Sequence, residues 1–188
     1  MIEPKPATQA IIVDEVLPHA PETIWKALTS SELIARWIME PSGFAPVEGT
    51  RFTFKTTPAG AWDGTIRCQV LEVVPNECLA YSWKGGDDGN AGYGSRLDTV
   101  VTWTLTRAAN GTRVRLVHSG FELPRNEVAF TNMGRGWKSI LPRLGDVAAR
   151  TTDHCRTAAT IPAAPDSILE NDDDSRLYRR LRLPRDPL

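Results

Sequence analysis

Residues 100–121, VVTWTLTRAANGTRVRLVHSGF, contain the pattern that decides the fold. On both sides of Asn110-Gly111 every second side chain belongs to one face, and these side chains are Val101, Trp103, Leu105, Val114, Leu116 and His118. Alternation of this kind is typical of strands with one buried face. Asn-Gly supplies the residues with positive φ that a tight hairpin turn requires. The stretch therefore predicts two long antiparallel strands joined by a short turn.

The segments before this hairpin continue the antiparallel pattern. A β-type run over residues 62–74 stops at Pro75-Asn76, and alternation resumes directly afterwards, which predicts a second hairpin. The alternating apolar residues are Phe52 and Phe54 in a preceding strand and Leu79, Tyr81 and Trp83 after the turn. With a further strand over residues 10–17, the chain is expected to form one antiparallel sheet.

Helical spacing appears on both sides of the predicted sheet strands. Pro21 at a first helical position opens a short helix, and Ser30 or Ser31 caps a second one. Towards the carboxy terminus, a long apolar stripe predicts a helix over residues 126–149. Pro142 lies within this stripe, and an internal proline removes a hydrogen bond and clashes with the preceding turn. We therefore expect a kink or a break before Pro142.

Length and charge restrict the class of protein. The chain has 188 residues, and its 22 basic and 23 acidic side chains give a formal net charge of -1. This length suits one hydrophobic core with an appended segment. A net charge near zero gives no overall electrostatic attraction for nucleic acid or anionic lipid. Neither a secretory signal nor a run of 18 apolar residues is apparent, and the three cysteines share no CxxC spacing. We expect a cytoplasmic protein with neither nucleic-acid nor membrane partners.

The sequence divides into a domain over residues 1–150 and a tail over residues 151–188. The tail contains an acidic NDDDS segment and several prolines, and it shows no sustained apolar period. Within it, helical spacing predicts a short amphipathic helix near residues 175–183, with Leu177, Tyr178 and Leu181 on one side. This helix is expected to dock on the sheet or on the neighbouring subunit of a homodimer.

Four segments resemble one known family. They are ETIWKALTSSELIARW (22–37), WDGTIRCQVLEVVPNECLAYSW (62–83), VVTWTLTRAANGTRVRLVHSGF (100–121) and GRGWKSILPRLGDV (134–147). In this order they are similar to the Hsp90 ATPase activator homologue branch of the START/Bet v 1-like superfamily. The resemblance implies an α+β helix-grip fold, in which a curved antiparallel sheet wraps around a long carboxy-terminal helix and leaves a cavity between them. Relatives bind lipids, polyketides or other apolar small molecules, some are cyclases, and others are linked to the Hsp90 chaperone.

Aromatic residues are the strongest candidates for a binding site. The chain has six tryptophans, and several aromatic side chains fall on the predicted strands or on the long helix. Core packing is the commoner role for any one of them. In a fold with a central cavity, some should line it, and the candidate ligand-binding residues are Phe54, Trp62, Tyr81, Trp83, Trp103, His118 and Trp137.

Catalytic and metal-binding signals are weak. His118 and Tyr81 are the only candidates for acid–base chemistry, although a buried histidine is more often a satisfied structural residue. No histidine has a His or Cys partner at the spacing of zinc ligands, so no metal and no cofactor is predicted. The glycine-rich segment 85–94, GGDDGNAGYG, favours a mobile hairpin tip, with Tyr93 over a cavity entrance as the alternative.

Three functions remain open at this point. The first is non-enzymatic binding of an apolar, aromatic or lipid-like small molecule between the sheet and the long helix. The second is an interaction module for an Hsp90-type chaperone ATPase, and it rests on the resemblance alone. The third is a polyketide cyclase or dehydratase that uses His118 and Tyr81.

Overall fold

A six-stranded antiparallel sheet is the central element of the computed structural model, which describes residues 8–158. The strands are β1 (Thr8–Leu17), β2 (Arg51–Lys55), β3 (Thr65–Val74), β4 (Cys78–Gly85), β5 (Leu97–Ala108) and β6 (Gly111–Glu122). The helices are α1 (Pro21–Thr29), α2 (Ser31–Trp37) and α3 (Glu127–Ala158). The strand order is β1-β6-β5-β4-β3-β2, so β2 to β6 form a meander, and β1 returns to pair with the last strand. The predicted sheet is confirmed.

The two hairpins have turns that differ in detail from the prediction. At the β5–β6 turn Ala108 pairs with Gly111, and Gly111 has a φ of 138°. A Cβ atom on Gly111 would lie 2.1 Å from the carbonyl oxygen of Leu17, which explains the glycine. Asn110 does not share the positive φ that the sequence predicted for it, and Asn76, in the β3–β4 turn, is the one non-glycine residue of the described chain that has one.

Strand β3 begins later than predicted. Trp62 lies outside it, in an isolated bridge with Ala59. Between Trp62 and the strand, the carboxylate of Asp63 accepts hydrogen bonds from the backbone N–H of Thr65, at 3.0 Å, and from its hydroxyl, at 2.6 Å. Since this local turn redirects the chain before the ladder starts at Thr65, the β-type run from residue 62 to residue 74 is not one strand.

The two predicted short helices are present and packed together. Pro21 is at the start of α1, and Ser30 is the N-cap residue of α2, although its side chain makes no capping hydrogen bond. The indole Nε1 of Trp37 donates a 3.0 Å hydrogen bond to the carbonyl oxygen of Ala27. This bond fixes the angle between the two helices, whose apolar faces turn towards the sheet and α3.

Helix α3 continues through Pro142 without a break and extends to Ala158, the last described residue, so the expected break and the expected end at residue 149 are both wrong. The predicted boundary at residue 150 falls inside this helix. Pro142 is exposed, so water can satisfy the carbonyl that loses its partner, while Leu141 and Leu144 beside it are fully buried. Burying each leucine stabilises by about 1.5–3 kcal/mol, which offsets a proline cost of about 3 kcal/mol.

The core lies between the inner face of the sheet and the three helices. Helix α3 packs against α1, α2, β1 and β6. Before its first turn, Asn126 accepts a hydrogen bond from the N–H of Glu122 and donates one to the carbonyl of Arg96, at 2.9 Å each. None of the helices in the described part of the chain has the length and apolarity needed to cross a bilayer. The predicted tail helix near residues 175–183 lies outside the described residues.

Candidate functional site

The centre of the fold is filled by side chains. Three of the predicted ligand-binding residues, Phe54, Tyr81 and Trp103, surround a void of about 10 Å³ under α1 and α2. A void of this size holds one water molecule at most. The Tyr81 hydroxyl accepts a 3.3 Å hydrogen bond from Nε1 of Trp103, and burial raises the pKa of Tyr81. These three residues form core packing, and the deep cavity expected between sheet and helix is closed here.

An apolar groove lies where α3 meets the β2–β3 and β4–β5 loops. We call it the Trp groove, and it has two compartments that share Thr56, Trp83, Asn132 and Met133. The inner compartment has a volume of about 110 Å³ and the outer one about 310 Å³. Of the described side chains that line either compartment, none carries a charge. The groove is therefore suited to contact with an uncharged, apolar molecular surface.

The inner compartment is built around Trp62, which also lines it. The indole Nε1 donates a 2.8 Å hydrogen bond to the carbonyl of Thr65. A Cβ atom on Gly85 would lie 3.1 Å from this indole, and one on Gly94 would lie 2.7 Å from the Cβ of Ala59 and 3.4 Å from the indole. The glycine-rich loop thus allows the Trp62 ring to lie against bare backbone.

The β4–β5 loop is hydrogen-bonded to the β2–β3 loop, and the mobility of this hairpin tip stays a prediction. Asn90 Nδ2 donates to the carbonyls of Ala59, at 2.8 Å, and Gly94, at 3.1 Å. The hydroxyl of Tyr93 donates a 2.8 Å hydrogen bond to the carbonyl of Thr57. Tyr93 lines the inner compartment and stays half exposed, which agrees with the alternative position at a cavity entrance.

The outer compartment is formed by one face of α3 and the segment that follows α2. Trp137 and Ile140 line it from α3, and Ile38 and Met39 line it from the opposite side. Gly136 also faces it, and a Cβ atom there would meet nothing within 4 Å. The missing side chain at Gly136 therefore contributes open space to the outer compartment.

His118 lies behind the groove and is fully buried. Its Nδ1 accepts a 3.0 Å hydrogen bond from the indole Nε1 of Trp137, and an indole nitrogen can only donate. The imidazole proton is therefore on Nε2, which lies 2.8 Å from Oγ1 of Thr99, and Thr99 in turn donates to the carbonyl of Trp83 at 2.8 Å. Burial lowers the pKa of His118 to about 3, so the ring is neutral.

In this arrangement His118 positions two tryptophans. It holds the indole of Trp137 directly and the backbone of Trp83 through Thr99, and both tryptophans line the groove. Both ring nitrogens are used, and His118 lines neither compartment. The geometry therefore does not favour a general base at His118 with Tyr81 as its partner, as the cyclase hypothesis requires.

Ser95 is a residue of the site that the sequence did not single out. It lines the inner compartment and is 2% exposed, and its Oγ has no hydrogen-bond partner among the described residues. In sequence it is one polar residue in a polar loop, so no periodicity or spacing distinguishes it. Only the packing of the two loops shows that it is buried.

Nucleophilic and metal-binding groups are not assembled at the groove. Cys68 is buried in β3, and burial raises the pKa of its thiol to about 12. Within the described part of the chain, His, Cys, Asp and Glu side chains form no cluster of three that could hold a metal ion. The groove itself offers hydroxyl, amide, indole and thioether groups, which suit binding.

The fold and the groove define a helix-grip protein of the START/Bet v 1-like class. More narrowly, the chain belongs to the family described as Activator of Hsp90 ATPase homolog 1-like protein, whose model matches residues 18–149. A crystal structure of a Mesorhizobium loti protein is 34% identical with a TM-score of 0.65, and the match covers 76% of this chain and 98% of that one.

Two further solved structures share the fold. A Bacillus halodurans protein is 26% identical with a TM-score of 0.58, over 74% of this chain and 96% of that one. The Aha1 dimer from Colwellia psychrerythraea is 22% identical with a TM-score of 0.59, over 74% of this chain and 96% of that one. A comparison with curated proteins gave no match.

Proposed function

We propose that the protein binds an uncharged apolar or aromatic small molecule in the Trp groove. The observation that carries the proposal is the lining of the groove, which combines the indoles of Trp62, Trp83 and Trp137 with the thioethers of Met39 and Met133 and no charged side chain. Ligand pockets are typically apolar and aromatic with a few polar groups. The outer compartment, at about 310 Å³, lies within their usual size.

The proposed position differs from the one expected from the sequence. The void under α1 and α2 is only about 10 Å³, so the ligand would occupy the mouth of the helix grip, between α3 and the two loops. Trp62, Trp83 and Trp137 remain candidate ligand contacts. Phe54, Tyr81, Trp103 and His118 would act only from behind the surface that the ligand touches.

Fluorescence titration with N-phenyl-1-naphthylamine, an uncharged aromatic probe, tests this function. The wild-type protein is expected to give a saturable increase in probe emission. Gly136→Leu should weaken probe binding at least tenfold because its side chain fills the outer compartment. Gly136→Ala is the matched control, since its Cβ meets open space and leaves most of the volume free. Unsaturable emission with the wild type, or equal affinity of the Leu and Ala variants, would contradict the proposal.

A second candidate function is an interaction module for an Hsp90-type chaperone ATPase. The observation in its favour is the family membership itself. Purified protein should then co-elute with the Hsp90 of its host and change the rate of ATP turnover, and the Gly136→Leu variant should do so equally well. If neither effect is seen, this candidate fails. A cytoplasmic location, which such a partner requires, stays a prediction.

A further inference from the structure

Ser95 is a buried hydroxyl group that nothing in the described structure satisfies. Its Oγ has less than 1 Å² of accessible area and no hydrogen-bond partner, and it is the one side-chain atom of the described residues in this position. Leaving a hydroxyl in this state costs about 1–3 kcal/mol, so such groups are rare in folded proteins and call for an explanation. The Trp groove supplies one, because Ser95 forms part of the wall of its inner compartment.

The backbone around Ser95 is fixed, and only its side chain can rotate. The N–H of Ser95 donates a 3.2 Å hydrogen bond to the carbonyl of Gly92. On the other side, a Cβ atom on Gly86 would lie 2.2 Å from the carbonyl oxygen of Ser95, so the two backbones are in direct contact. A serine hydroxyl turns among three staggered positions at small cost. In the conformation present, Ser95 Oγ is not accessible from the compartment, and rotation about χ1 is the movement that would bring it to a ligand atom there.

The size and lining of the inner compartment restrict that ligand. About 110 Å³ is close to the volume of an engineered apolar cavity, about 150 Å³, that accepts benzene. Trp62 and Trp83 offer aromatic surfaces, and none of the described residues that line the compartment carries a charge. One aromatic ring fits this space, and a single oxygen on the ring would give the Ser95 hydroxyl its missing partner.

We infer that the inner compartment binds the oxygen-bearing ring of an uncharged aromatic ligand, such as a phenol or an aryl carbonyl, with Ser95 Oγ hydrogen-bonded to the oxygen. This inference rests on the proposed function and deepens it. The hydroxyl selects the oxygen, while the two tryptophans bind the ring. Ser95 is thus a specificity residue whose contribution disappears when the ligand lacks the oxygen.

Phenol and toluene test the inference because they have nearly the same shape and differ in the hydroxyl group. Dissociation constants are measured by calorimetry for the wild type and for Ser95→Ala. The substitution is expected to weaken phenol binding about three- to tenfold and to leave toluene binding unchanged or tighter. The melting temperature of the free Ser95→Ala protein should equal or exceed that of the wild type, because the variant loses an unsatisfied group.

Ser82→Ala is the matched control. Ser82 is also buried, but its Oγ accepts a 2.9 Å hydrogen bond from the N–H of Gln69, and it does not line the groove. This variant should melt at a lower temperature and keep the phenol-to-toluene ratio of the wild type.

The possible outcomes distinguish failure of the Ser95 contact from failure of the proposed binding function. If toluene and N-phenyl-1-naphthylamine bind but Ser95→Ala leaves the phenol-to-toluene ratio unchanged, Ser95 is not the anchor and this inference is overturned alone. If none of the three compounds binds, the proposed function falls and the inference falls with it.

Discussion

At the scale of single residues, His118 shows how a polar group is held in an aromatic core. Its two ring nitrogens are satisfied by Trp137 and Thr99, and rings of Trp83 and Phe121 pack against it at centroid distances of 5.7 and 4.7 Å. Alternation along β6 predicted that His118 faces inward. It could not predict its partners, because Thr99 and Trp137 reach it from two other elements, β5 and α3, and strand alternation does not specify contacts between elements.

The lowered pKa of His118 predicts an acid-sensitive stability. The pKa in the folded state is about 3, well below the ordinary value of 6.5, so between these pH values the unfolded chain binds a proton that the folded protein does not. The free energy of unfolding should therefore fall by about 1.4 kcal/mol for each pH unit below about 6.5. Urea unfolding at pH 7.0, 6.0 and 5.0 measures this slope.

His118→Gln is the control for that slope, since an amide retains one donor and one acceptor but does not titrate in this range. Between pH 6.5 and 5, the free energy of unfolding should fall by about 2 kcal/mol less in the variant than in the wild type. Parallel pH profiles for the two proteins would show that His118 does not carry the effect.

The other residues of the site divide into predictable and unpredictable ones. Aromatic side chains on strands or on the long helix were correctly placed inside the fold, because period and burial are linked. The sequence could not separate Trp83 and Trp137, which line the groove, from Trp103, which fills the core. That distinction depends on how two loops pack, and loop packing leaves no periodic signal.

At the scale of elements, the β4–β5 loop depends on glycine for its contact with Trp62. Gly94→Ala should destabilise the protein by about 2–4 kcal/mol, because it adds both the strain of a positive φ and a steric clash. Gly92→Ala is the matched control, since its φ of 81° is close to the 79° of Gly94 but its Cβ would meet only Val128, at 3.7 Å. If chemical unfolding shows the same loss of unfolding free energy for both variants, Gly94 does not have the packing role assigned to it.

Helix α3 gives a second prediction at this scale. Pro142→Ala restores a backbone donor in a continuous helix and removes the clash with the preceding turn, so it should stabilise the protein by about 1–3 kcal/mol. The melting temperature should rise accordingly. A lower melting temperature would mean that the proline ring makes packing contacts that alanine cannot replace.

The same helix shows where reasoning from local sequence fails. Pro142 predicted an interruption, but the buried leucines on either side hold the helix against the sheet. Tertiary packing therefore outweighs a local preference here. Strands were placed best where alternation is strict, as in β5 and β6, and worst at Trp62, where an aspartate turn interrupts a β-rich run.

At the scale of the whole molecule, the chain beyond α3 supplies a further prediction. Leu177, Tyr178 and Leu181 lie outside the described residues, and their spacing predicts a docking helix. Truncation after Ala158 should lower the melting temperature or change the oligomeric state, measured by light scattering on a size-exclusion column. If neither the melting temperature nor the oligomeric state changes, the segment does not dock.

The whole fold combines a closely packed centre with an open groove at its mouth. The sheet, the two short helices and α3 enclose a core in which the void under α1 and α2 is about 10 Å³, and the two loops and α3 leave beside it a groove whose described lining residues are uncharged. The near-neutral net charge of -1 agrees with a ligand bound through apolar contacts. The proposed ligand therefore binds at this groove and not in the core.

The indole N–H signals of the six tryptophans report whether the ligand binds in the groove or in the core. In a ¹H–¹⁵N spectrum, assigned through single Trp→Phe variants, addition of N-phenyl-1-naphthylamine should shift the signals of the groove residues Trp62, Trp83 and Trp137. The signals of Trp25 on α1 and of Trp37 in the core should stay in place. If the Trp37 signal shifts and the signals of the groove tryptophans do not, the ligand enters the core and the Trp groove is not its binding site.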